Sequence, residues 1–100
     1  MVTFRSLRET ADPDAIPDGP LRALWYDLQG DWDTAHRIVQ VLDDHDAMWV
    51  HAYLHRKEPD INNAKYWYRR CGEPYPGEMT SDAEAEMIVS AITARGEAAA

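Results

Sequence analysis

All four histidines of this 100-residue chain fall between positions 36 and 55, and two of them, His51 and His55, stand four apart. On a helix that spacing puts both imidazoles on one face, as in the zinc-binding H-E-x-x-H motif. The motif's glutamate is missing, because position 52 is alanine. Glu58, three residues after His55, is a candidate third ligand, and His36 on the neighbouring helix a fourth. Three protein ligands and one open position suffice for a catalytic zinc. A plainer chemistry uses the same residues. His36 and Gln40 are also four apart, so two antiparallel helices with a short connection would set both pairs into a polar ladder. A neutral imidazole offers one donor and one acceptor, and each buried group left unpaired costs roughly 1–3 kcal/mol. Arg56 and Glu58, at the end of that ladder, would orient it. Burial would hold His36, His51 and His55 neutral near pH 7, with Glu58 acting against this at His55. Polar packing is the preferred expectation, and metal ligation by His51 and His55 the alternative. No cofactor is expected.

Other reactive chemistry has no support. Ser6, Ser81 and Ser90 have no histidine near them in sequence and no glycine-rich elbow, and there is no phosphate-binding glycine loop. Cys71 is the only cysteine, which excludes an intrachain disulfide and fits a reducing, cytoplasmic location. Residues 1–20 carry acidic residues and prolines without an apolar run, so no signal peptide is expected. No stretch of about eighteen apolar residues exists to span a membrane. The formal net charge of −8 makes nucleic acid an unsuitable partner. The basic exception, Arg56, Lys57, Lys65, Arg69 and Arg70, reads as a solvated helix face.

The elements that must position the histidines read as helices. Phe4 to Glu9 forms a short turn, and Asp12 to Gly19 is proline-broken loop. Pro20 opens a helix carrying Leu21, Leu24, Trp25 and Leu28, and Gly30 stops it. Asp31 caps a second helix with the stripe Trp32, Ala35, Ile38, Val39 and Leu42. A third runs from about Ala47 to Lys57, with Val50, Tyr53 and Leu54 on one face and Met48, His51, Ala52 and His55 on another. Both faces are used only if neighbours cover this helix on two sides. Asp60 caps a fourth helix led by Ile61, Ala64, Trp67, Tyr68 and Cys71. Ser81 and Glu84 form a capping box for a last helix that turns Met87, Ile88, Ala91 and Ile92 inward. Tyr66, Trp67 and Tyr68 cannot all face one core, so exposed aromatics, with Trp49 beside the basic segment, are candidates for a groove wall.

An internal echo organises these elements. Gly30-Asp31-Trp32-Asp33-Thr34-Ala35 returns as Pro59-Asp60-Ile61-Asn62-Asn63-Ala64, offset by 29 residues, and Leu21 and Ala23 match Val50 and Ala52. Gly30, Trp32, Ala35, Val39 and Leu42 fall at steps of two, three, four and three, as do Pro59, Ile61, Ala64, Tyr68 and Cys71. Over residues 20–76 this resembles a short tetratricopeptide or Sel1-like array, although the period is shorter than the ~34 of the tetratricopeptide repeat. The blocks from His51 to Glu58 and from Asn63 to Arg70 also resemble a group of small bacterial proteins of unknown function.

The resulting expectation is one all-α domain. Residues 1–19 form an irregular segment, 20–43 and 47–71 two helix-turn-helix hairpins stacked as a short right-handed array, and 81–96 a closing amphipathic helix. The expected function is a helical-repeat interaction module without catalysis, binding a protein segment, a peptide or a second copy of itself as a homodimer. Its groove or polar cluster would comprise His36, Gln40, Trp49, His51, His55, Arg56, Glu58, Asn63 and Tyr66. The rival reading is a metal-dependent or acid–base enzyme using His36, His51, His55 and Glu58. A third is an accessory subunit whose groove is filled by its own last helix.

Overall fold

Short side-chain caps and prolines set where the helices begin. The computed structural model describes residues 2–99, with side chains described as far as Arg95. Six helices follow in order: α1 (Phe4–Glu9), α2 (Pro20–Leu28), α3 (Trp32–Val39), α4 (His45–Lys57), α5 (Ile61–Cys71) and α6 (Ser81–Ala99). A single 3₁₀ turn at Pro13–Ala15 interrupts the first loop, and no strand occurs among the described residues. The fold is all-α. No described helix is long and apolar enough to cross a membrane.

The Thr3, Asp31 and Asp44 side chains each accept a first-turn N–H, which satisfies a donor the helix cannot. Gly30 (φ +90°) and Gly72 (φ +81°) end α2 and α5 in the left-handed region, where a β-carbon would be strained. Asp44 starts α4 two residues earlier than the apolar pattern does, so His45 lies inside the helix. Three local expectations change. Asp60 precedes α5, but its carboxylate makes no cap bond and instead accepts from the Asn63 amide at 3.3 Å. The cap of α6 is the Thr80 hydroxyl, bonded to the Ala83 N–H at 3.1 Å, because Glu84 is buried instead of reaching back to Ser81. Met87 stays 42% exposed, while Ala85, Ile88 and Val89 face the core.

α2 packs chiefly against α3, and α4 against α5; α4 also meets α2, α3 and α6. Surrounded in this way, α4 is buried without interruption from Trp49 to His55. That accounts for its two competing faces: both are inside. Ala35 and Ala64, the matching small residues of the echo, are each fully buried. Small side chains there let helices approach closely, and Tyr53, Tyr68, Leu24 and Leu54 fill the remaining volume.

Candidate functional site

α3 and α4 bring three imidazoles together. His36 comes from α3, and His51 and His55 lie one turn apart on α4. Ring centroids are 4.8 Å apart for His36 and His51, 5.1 Å for His36 and His55, and 4.8 Å for His51 and His55. One ring nitrogen from each lies within 4.8 Å of the other two. The indole of Trp32 stacks on His36 at 4.9 Å, held by its N–H donating to the Leu54 carbonyl at 2.8 Å. On the other side Trp67 stacks on His51 at 4.0 Å. His51 and His55 are 4% and 6% exposed, and His36 is half-buried.

The hydrogen bonding of this cluster is incomplete. His36 Nε2 and His51 Nε2 are 3.1 Å apart, and His55 Nδ1 lies 2.6 Å from the Glu58 carboxylate. These contacts engage three of the six ring nitrogens. His51 Nδ1 is buried with no partner. In either tautomer His51 therefore holds one unsatisfied nitrogen, at a cost of roughly 1–3 kcal/mol. Burial, then the neighbouring His55 and His36 rings, push the His51 pKa down to about 3. His36 is lowered by burial and by His55. Both are neutral at pH 7, with lone pairs available. A carboxylate accepts only, so Glu58 fixes the proton of His55 on Nδ1 and leaves Nε2 as the free donor atom.

The nine residues expected at the site separate into several places. Glu58 bonds the outer nitrogen of His55 and is not a member of the three-histidine group; with Asp60 it forms a second, surface set around His55. Gln40 ends α3 on the exposed surface and takes no part in a ladder. Trp49 is not a groove wall: it is 4% exposed, and its N–H donates to Glu84 at 3.3 Å. Arg56 does not orient the histidines, because its guanidinium binds Glu84 at 2.9 Å and the Met79 carbonyl at 2.8 Å. Asn63 bonds Asp60. Tyr66 is 46% exposed, its hydroxyl accepting from Arg70 at 3.0 Å.

Two buried acidic groups were not anticipated. Glu84, 1% exposed, accepts from Trp49, from the Tyr68 hydroxyl at 2.6 Å and from Arg56, pinning α6 to α4 and α5. Asp27, 5% exposed, accepts from the Tyr53 hydroxyl at 2.7 Å and from Lys57 at 2.8 Å. Both phenols have pKa values raised by burial first and then by these carboxylates. The fourth histidine, His45, stands apart between Asp46 and Glu73, each at 2.8 Å. Only the imidazolium donates to both, and its pKa is raised, chiefly by Asp46.

No protein-family model, curated protein or solved structure matches this chain.

Proposed function

We propose that the protein is a small helical metal-binding module in which His36, His51 and His55 hold a late first-row divalent ion. The observation that carries this reading is the convergence of three imidazoles from two helices, one ring nitrogen of each lying within 4.8 Å of the other two. A tetrahedral zinc with Zn–N of ~2.05 Å sets its ligand nitrogens about 3.3 Å apart. The 3.1 Å separation of His36 and His51 is close to that, and a ring nitrogen of His55 lies within 4.8 Å of both rings. An all-nitrogen set favours zinc, copper or nickel over calcium or magnesium, which require oxygen. His36 and His51 are neutral at pH 7, so no net proton is lost when an ion binds; the proton shared between their Nε2 atoms moves to the Nδ1 of the ring that carries it. Glu58 is the outer partner that ligating histidines ordinarily have. The burial of His51 and His55 favours holding an ion over turning over a substrate. On this reading the ion ties the first helical hairpin to the second in a reducing, cytoplasmic setting, with Cys71 as a small packing residue at the end of α5.

The test uses the tryptophans already stacked on the ligands. Chelator-treated protein without a histidine tag is titrated with copper or nickel while Trp32 and Trp67 emission is followed. Quenching that saturates at one ion per chain, and is lost in His36→Ala and His51→Ala, is the expected result. Quenching without saturation, or equal quenching in the variants, overturns the reading.

A further inference from the structure

Val41 is 78% exposed, the most exposed of the large apolar side chains described, and it stands just beyond α3 at the rim of a hollow of about 340 Å³. Leu42, Met48 and Trp67 supply the apolar lining of that hollow, and Asp43 and Arg70 place opposite charges on it. Among the described residues neither charge has an ionic partner. The Arg70 guanidinium rests 5.3 Å over the Trp67 ring and donates to Tyr66. The patch therefore holds an apolar knob, an adjoining hollow, an unpaired anion and an unpaired cation.

We infer that this face binds a second copy of the chain about a two-fold axis close to Val41. A two-fold interface uses one patch on both subunits, so the patch must contain each feature and its complement. Here Val41 of one copy enters the hollow of the other, and Asp43 of each meets Arg70 of its mate. Tyr, Trp, Met and Arg are the side chains that interface centres favour. The net charge of −8 opposes self-association in general. Asp43 and Arg70 leave this patch with no net charge of its own, so the repulsion is not concentrated where the two copies meet. Charge pairing of this kind fixes register more than it adds affinity.

Sedimentation equilibrium of the full chain with chelator present, from low-micromolar to near-millimolar protein, tests the inference independently of metal. The wild type should pass from monomer to dimer mass. Val41→Asp should weaken the association at least ~10-fold with an unchanged melting temperature, since its side chain contributes little to the monomer core. Asp43→Arg and Arg70→Asp should each weaken it, and the double variant should recover most of the loss. A wild type that stays monomeric throughout, an unaffected Val41→Asp, or a double variant no better than the singles each overturns the proposal.

Discussion

Lowering the pH from about 7.5 to about 5.5 should destabilise the protein through His51, whose unfolded pKa is about 6.5. In the folded chain burial and the two neighbouring imidazoles hold it near 3. Folded His51 binds fewer protons than unfolded His51 throughout that window, so its stability is intact above about 6.5 and is lost as pH falls toward the folded value. Over these two units the unfolded state gains most of a proton while the folded ring stays neutral, a loss of about 1.4 kcal/mol. The figure is insensitive to the folded pKa as long as that lies well below 5.5. His36 shifts in the same direction. His45 acts oppositely: with a raised pKa its contribution is present at low pH and fades as pH rises through the folded value. The wild-type profile therefore mixes signs, and the assay is a difference. Urea unfolding of the wild type and of His51→Gln, with chelator at both pH values, cancels the carboxylates and His45. The wild type should lose about 1.4 kcal/mol more than the variant. Equal losses would mean that His51 is exposed and titrates normally, and the buried cluster would be refuted.

Glu84→Ala leaves the Arg56 guanidinium, 11% exposed, without its carboxylate and should cost roughly 3–5 kcal/mol, read as a lower urea midpoint and faster amide exchange in α6. Ala35→Leu should overpack the fully buried first-hairpin crossing by roughly 1–3 kcal/mol; an unchanged melting temperature would show that Ala35 is not at a close contact. Glu58→Gln should weaken metal binding by ~10–100-fold with little effect on folding, measured by competition with a chromophoric chelator, whereas unaltered affinity would remove Glu58 from the site's outer shell.

What could be read from the sequence was what depends on local spacing. Pro20, Gly30 and Asp31 mark helix ends through backbone chemistry that neighbours scarcely alter, and the structure has them in those roles. The i, i+4 pair His51 and His55 likewise shares a helix face by geometry alone. Partners set by tertiary contacts were harder to see. Glu84 fits a capping box as well as a core position, and only the approach of Trp49, Tyr68 and Arg56 selects the core. A signal existed in its spacing, since it lies four residues before Ile88 on the buried side of α6. Asp27 sits three residues after Leu24 in the same inward phase of α2, where a lone carboxylate implies buried donors. The stacking of Trp32 and Trp67 on the histidines had no such signal, because it depends on how α3 and α5 cross α4.

Anomalous diffraction at the zinc edge, from crystals of untagged protein grown with equimolar zinc, tests the metal-binding proposal most directly. One strong peak is expected between α3 and α4, about 2.0–2.1 Å from a ring nitrogen of each of His36, His51 and His55. No peak there, or a peak only on the exposed Glu58 and Asp60 carboxylates, would contradict it.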